Sequence, residues 1–232
     1  MYPISVIVPL GKNESSVQHL IDALLQFEAI HEIVISTTKC CLHETPLDTA
    51  QSKVKWVISD TPPGRARQLN AGAAHSSGNY LWFVHADSRL AASTIKSMTT
   101  SIIVHPSALF YCDLKFKEDG PNLMALNQFG AWIRSRYLGL PFGDQGLCIS
   151  AENFRALGGY DEDVQVGEDH LFVWKVKRAG MPIIASGGII ETSARKYAQN
   201  GWLSVTYSHL LTTGTQAWRE WRRSSSTSGI SS

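Results

Sequence analysis

No stretch of the chain reaches the roughly 18 consecutive apolar residues that a membrane-spanning helix needs, and the short apolar run Ile4 to Leu10 has no basic leader before it. The sequence thus predicts neither an integral membrane protein nor one exported by an obvious signal, and the expected location is the cytoplasm. Charge of one sign is also scarce: 21 Lys and Arg face 20 Asp and Glu, a net of +1. Without a basic excess there is no electrostatic footprint for duplex nucleic acid, and none is expected as a partner. The four cysteines, Cys40, Cys41, Cys112 and Cys148, include no CxxC pair. Adjacent Cys40 and Cys41 bridge only with strain, so buried, reduced thiols are expected rather than a disulfide framework. Internal repeats, low-complexity core segments and convincing linkers are lacking too, which leaves one domain over residues 1–223. Within it, about 1–90 form a parallel half and 91–223 a mixed half that share one sheet. The serine-rich end, 224–232, has nothing to bury and is expected to fray.

What is present is the composition of a compact protein: 232 residues, 44% hydrophobic and 18% charged, enough to bury one core. Short β-branched runs alternate with amphipathic segments in the first half, the pattern of an α/β fold with a parallel sheet. Strands are expected at 4–8, 32–36, 54–59 and 80–84. Val17, Leu20, Ile21, Leu24 and Leu25 form a helical stripe between the first two, and 65–76 read as a helix after the Pro62-Pro63 break. The run YLWFV suits a strand buried on both faces, and HADS follows at its C-terminal end, where open α/β sheets hold ligands. Farther on, residues 110–117 alternate apolar and polar, which predicts a half-exposed antiparallel strand. Helices at about 122–137 and 151–157, a strand at 146–150, and a helix from Glu168 stopping at Gly180 complete the expected elements.

Four groups of residues are of a kind that does chemistry. Asp87, after the fourth strand, can hold a divalent cation against a substrate diphosphate; its purely structural alternative is to cap the helix beginning near Ala91. His85 is a second ligand, a hydrogen-bonding group for substrate, or a packed strand-end residue. Glu168 and Asp169 start a helix whose dipole favours carboxylates, and either is placed to act as a general base. Asp144 and Gln145 lie between Gly143 and Gly146 in a segment that equally suits a plain turn. Arg195 and Lys196 offer positive charge for a diphosphate.

Taken in order, ISVIVPLGKNE, GRARQLNAGAAHSSGNYLWFVHADSRL, GDQGLCISAENFRALGGYDED, GEDHLFVWKVKRAG and TSAR resemble a bacterial branch of family 2 glycosyltransferases with the GT-A fold, a three-layer α/β/α arrangement on a mixed, mostly parallel sheet. The resemblance implies inverting transfer of a sugar from a nucleotide diphosphate donor to an acceptor hydroxyl, assisted by Mg²⁺ or Mn²⁺. By matching position, Asp87 with His85 would hold the metal, Asp169 would be the base and Glu168 would orient it. Pro9, Asn13, Glu14, Arg67 and Asn70 would line the donor pocket, and Gly72 would let its helix approach closely. Asp144 and Gln145 would face sugar or acceptor, and Arg195 would meet the diphosphate.

Two departures stand out. The aspartate usual after the second strand is replaced by Ser36-Thr37-Thr38, and the first aspartate of the metal motif by His85. These keep open a non-catalytic member that binds a nucleotide or a partner. A nucleotidyltransferase is the third reading, disfavoured because its glycine-rich phosphate loop is missing. Trp202, Leu203, Tyr207, Leu210, Leu211, Trp218 and Trp221, with Arg219, Arg222 and Arg223, suit three settings: packing on the domain, a homodimer contact, or a peripheral surface on the inner face of the membrane near a lipid-linked acceptor.

Overall fold

A computed structural model describes residues 2–11, 17–41, 53–121, 123–164, 166–194, 197 and 214–215. Asn13, Glu14, Arg195, Lys196, the C-terminal aromatic cluster and the tail at 224–232 lie outside the described residues.

The strands are β1 (Ile4–Pro9), β2 (Ile30–Thr38), β3 (Val54–Ser59), β4 (Tyr80–Phe83), β5 (Arg89–Leu90), β6 (Leu109–Phe116), β7 (Cys148–Ser150) and β8 (Ile183–Thr192). They form one sheet in the order β3-β2-β1-β4-β7-β6-β8-β5, so both halves of the sequence share it. β1, β2, β3 and β4 are mutually parallel. β7 runs against both β4 and β6, β6 and β8 are parallel, and β5 runs against β8. The mixed, mostly parallel sheet expected from the sequence is therefore present.

Helices α1 (Gln18–Leu25), α2 (Arg65–Ala74), α3 (Ala92–Val104), α4 (Met124–Tyr137), α5 (Ala151–Ala156) and α6 (Glu168–Arg178) complete the layers. Alternate residues of each central strand feed two cores, because successive strand side chains point to opposite faces. Val6, Val8, Ile33, Ile35, Trp82 and Val84 pack with Leu20 and Leu24 of α1 and Ile95 and Met98 of α3. Ile7, Val34, Leu81 and Phe83 pack on the other face with Leu69 of α2, Phe154 of α5 and Phe172 and Val173 of α6.

Three expectations need correction. Residues 110–117 do not form a simple half-exposed antiparallel strand: β6 is buried through its first four residues, and its long partner β8 is parallel. β8 itself was not expected, because Gly187 and Gly188 interrupt its apolar run. Cys40 is exposed, whereas Cys41, Cys112 and Cys148 are buried, and all four thiols are free.

Candidate functional site

The parallel strands end together at one edge of the sheet, where backbone groups no longer paired in the ladder turn toward a ligand. Pro9 closes β1 in register with Ser36 and is buried, so it shapes the edge instead of presenting a polar group. The next carbonyl, Leu10 O, accepts from Thr37 Oγ1 at 3.0 Å and from Gln68 Nε2 at 2.8 Å, which ties α2 to the strand ends. Gly72 brings α2 in closely: a Cβ there would meet Ile7 Cγ2 at 2.6 Å.

Beyond β4, Val84, Ala86 and Ser88 are buried while His85 and Asp87 are half-buried. Asp87 does not cap α3, whose first turn follows Ala91 with no side-chain cap. Its carbonyl accepts from Lys117 Nζ, which pins the turn and leaves the carboxylate to other work. Burial, with the nearby Arg65 charge, holds the His85 imidazole well below its ordinary value of 6.5. The ring is then neutral at pH 7 and keeps a lone pair.

Glu168 and Asp169 begin α6. Asp169 Oδ2 accepts from the Gly143 amide at 2.5 Å and Oδ1 from the His170 amide at 2.8 Å. The absence of a side chain at Gly143 makes this contact possible, since a Cβ would come within 2.7 Å of Asp169 Oδ2. Glu168 is buried, and its carboxyl is raised by that burial and by Asp169, against the pull of Arg65, whose Nε lies 3.4 Å from Glu168 Oε1. Asp144 is pushed up to about 6 by burial and by Asp169, with Arg134 and Arg65 opposing. Its Oδ1 is sealed from solvent without a hydrogen-bond partner among the described residues.

Arg65 is the residue that joins the site, and it was not among the sequence candidates. Its charge acts on His85, Asp144, Glu168 and Tyr160, so it sits between the end of β4 and the start of α6. The other arginine of the segment, Arg67, lies at the rim, with Nε 3.8 Å from Glu162 Oε2. Both line a cavity of about 490 Å³ at the N-terminus of α2, together with Gly64, Glu162 and Glu168. Arg134 was also missed; it is buried on α4 beside Asp144 and Asp169. The available signal was that Ala131, Arg134 and Ser135 fall on the core-facing stripe of that helix, where an arginine is rare unless partnered.

Two candidates have other tasks. Gln145 is fully buried; its Nε2 donates to Cys112 O at 3.0 Å and its Oε1 accepts from the Phe142 amide at 2.9 Å. It therefore braces the turn and does not face sugar or acceptor. Asn70 spends its amide on the loop after α5, donating to Tyr160 O and Glu162 Oε1 and accepting from Tyr160 N.

Residues 5–157 match the profile of glycosyl transferase family 2. The chain belongs to this family. Solved structures agree on the fold. TarS of S. aureus, residues 1–349, aligns with a TM-score of 0.59 at 17% identity over 82% of this chain and 60% of its own. The same TarS fragment in complex with UDP-GlcNAc gives the same score and identity. GalNAc-T7 with UDP, GalNAc and Mn²⁺ gives 0.60 at 14% identity, over 83% of this chain and 44% of its own. The family 2 chain thus has the GT-A fold and spans less than two thirds of these structures. No curated protein matches its sequence significantly.

A divalent cation fits the family 2 site in one particular way. Among the described residues no three His, Cys, Asp or Glu side chains converge as a ready cage. Asp87 and neutral His85, two positions apart after β4, are two donors of a kind that suits a hard cation taking its other ligands from diphosphate oxygens and water.

Proposed function

We propose that this chain is an inverting glycosyltransferase that moves a sugar from a nucleoside diphosphate donor to an acceptor hydroxyl. One observation carries the reading. In a family 2 chain, Arg65 pairs with Glu168 at the start of α6, Nε to Oε1 at 3.4 Å, beside Asp169, and its charge also reaches His85 after β4.

Mg²⁺ or Mn²⁺, held by Asp87 with His85, would supply positive charge to the leaving diphosphate. Arg65 and Arg67, beside the N-terminal amides of α2, face the same charge from the cavity side. The acceptor oxygen attacks the anomeric carbon as the bond to the diphosphate oxygen breaks, and Asp169 takes the hydroxyl proton. The Gly143 and His170 amides fix the Asp169 carboxylate so that it meets the acceptor in one orientation. Glu168, tied to Arg65, links base and donor sides. Pro9 and Asn70 shape the donor pocket indirectly, through the strand end and the loop at 158–163. Asn13, Glu14 and Arg195 are assigned to the donor only by their match to the family pattern. Among the described residues no helix is long and apolar enough to cross a membrane.

The test is calorimetry of UDP, GDP, dTDP and CDP sugars with and without Mn²⁺, paired with release of nucleoside diphosphate. Wild type is expected to bind one donor class in a metal-dependent way. Asp87→Ala should lose that dependence, and Asp169→Asn should bind donor normally yet release product at least about 100-fold more slowly. Wild-type turnover by Asp169→Asn would remove it as the base. Absence of binding by every donor would favour the non-catalytic reading, with His85 and Ser36 as the altered positions.

A further inference from the structure

The antiparallel pair of β5 and β8 ends with Arg89 opposite Glu191. Beyond that rung the register carries the chain back from Arg89 to Asp87 and onward from Glu191 to Ser193 in the same direction. One of these stretches bears His85 and Asp87, and the other leads into Arg195.

The turn after β6 reaches both. The Lys117 amide donates to Thr192 O at 2.9 Å, which prolongs the pairing of β6 with β8, and the Lys117 ammonium donates to Asp87 O. Asp119 is exposed, yet both of its carboxylate oxygens are taken by the other stretch. Oδ2 accepts from Ser193 Oγ at 2.6 Å and Oδ1 from the Ala194 amide at 2.7 Å. Gly120 lets the turn lie this close, since a Cβ there would meet Ala194 Cβ at 2.4 Å. Just before it, the Phe116 ring meets the Tyr197 ring edge-on, with centroids 5.8 Å apart.

The same pair of strands shows what an ordinary surface contact is. Two residues before Lys117, Lys115 Nζ meets Glu191 Oε1 at 2.8 Å. Such an exposed ion pair joins two long side chains and contributes little. Lys117 and Asp119 instead make charge-assisted bonds to main-chain groups, which fix the backbone itself. Lys117 grips the carbonyl of the residue whose side chain is the candidate cation ligand. Groups that hold a ligating carboxylate from behind govern its affinity for a cation without touching the ligand.

We propose that Lys117 and Asp119 are positioning residues. Together they clasp the turn bearing His85 and Asp87 to the Ser193–Ala194 stretch, so that the two meet a cation-bound diphosphate as one preformed edge. This rests on the glycosyltransferase reading and deepens it.

The experiment compares wild type with Lys117→Met, Asp119→Ala, Asp119→Asn and Lys115→Met. Calorimetry with UDP, GDP, dTDP and CDP, with and without Mn²⁺, is paired with amide hydrogen exchange of the 85–88 and 192–194 stretches. Lys117→Met and Asp119→Ala should each lose about 10- to 100-fold of the affinity that Mn²⁺ adds for the preferred diphosphate. Exchange should quicken in both stretches in each of these variants, because opening one end of the clasp frees the other, while β1 and β2 keep their protection. Asp119→Asn should behave as wild type, since its amide oxygen still accepts from Ala194 N and the Ser193 hydroxyl can turn to accept from its nitrogen. Lys115→Met should also match wild type. An unchanged Mn²⁺ increment in Lys117→Met and Asp119→Ala overturns the positioning role and leaves the donor site standing. Quickening confined to the stretch that each residue touches, or spread through β1 and β2 as well, overturns it too. So does an Asp119→Asn variant as impaired as Asp119→Ala, which would assign the effect to charge. Failure of wild type to bind any diphosphate overturns the glycosyltransferase reading and this inference with it. Should Asp119→Ala fail to fold, Lys117→Met decides alone, because it keeps the length of the stem and removes only the ammonium.

Discussion

Buried polar groups without partners are the residues where this chain gives up stability, and Asp144 is the clearest of them. Its carboxyl is raised from 3.8 to about 6 in the folded protein by burial and by Asp169. A carboxyl raised on folding opposes the folded state wherever it is ionised, so stability should rise as pH falls through 6 toward 4. Asp144→Asn removes that charge at nearly constant volume. We expect the variant to melt higher than wild type at pH 8, by about 1–3 kcal/mol in free energy, and the difference to shrink toward zero by pH 4. Parallel thermal melts at pH 4, 6 and 8 check this, and a lower melting point for the variant at pH 8 would contradict it. Asp87 and Asp169 stood out in the sequence as candidates because both stand at element boundaries, the places where carboxylates meet helix starts and sheet edges. Arg65 and Arg134 did not. Sequence spacing cannot tell which arginine of GRAR turns inward, and an arginine on a core-facing stripe carries no label naming the group it serves.

At the scale of elements, glycine sets how closely α2 lies on the sheet. A Cβ at Gly72 would meet Ile7 Cγ2 at 2.6 Å and Ser36 Cβ at 3.4 Å, and both partners are fully buried strand residues unable to retreat. Gly72→Ala should therefore destabilise the fold by about 1–3 kcal/mol despite its better helix propensity. It should also lower donor affinity, because Arg65 and Arg67 ride on the same helix. Urea denaturation reports the first effect and calorimetry the second; an unchanged or raised unfolding midpoint would show that the helix has room. Most elements were readable from period and punctuation: β1 to β4 as apolar runs, α1 as a stripe, α6 from its acidic start and its glycine stop. β8 was not, since Gly187 and Gly188 break the pattern that marks a strand, and Gly188 is there for a tertiary reason. It lies against Thr94 of α3, where a Cβ would approach within 2.8 Å.

Across the whole molecule, burial is uneven. β1, β2 and β4 are covered on both faces, whereas Phe129, Trp132, Ile133, Tyr137 and Leu138 on and after α4 are exposed. Amide hydrogen exchange should be slowest in β1, β2 and β4 and markedly faster in α4 and the two-residue edge strand β5. Uniform protection across these elements would contradict that ranking. The sheet order bears also on the way the chain folds as it is made. β1 to β4 are consecutive neighbours or near neighbours and can assemble early, but β5 pairs Arg89 with Glu191 and Leu90 with Ile190. A loop that long closes late and at an entropic cost. During synthesis, β5 must wait for nearly the whole of the described chain to leave the ribosome, and the turn bearing His85 and Asp87, only a residue away, waits beside it. The parallel strands β1 to β4 would then form first, and the turn bearing His85 and Asp87 would take its final setting in the last step of folding.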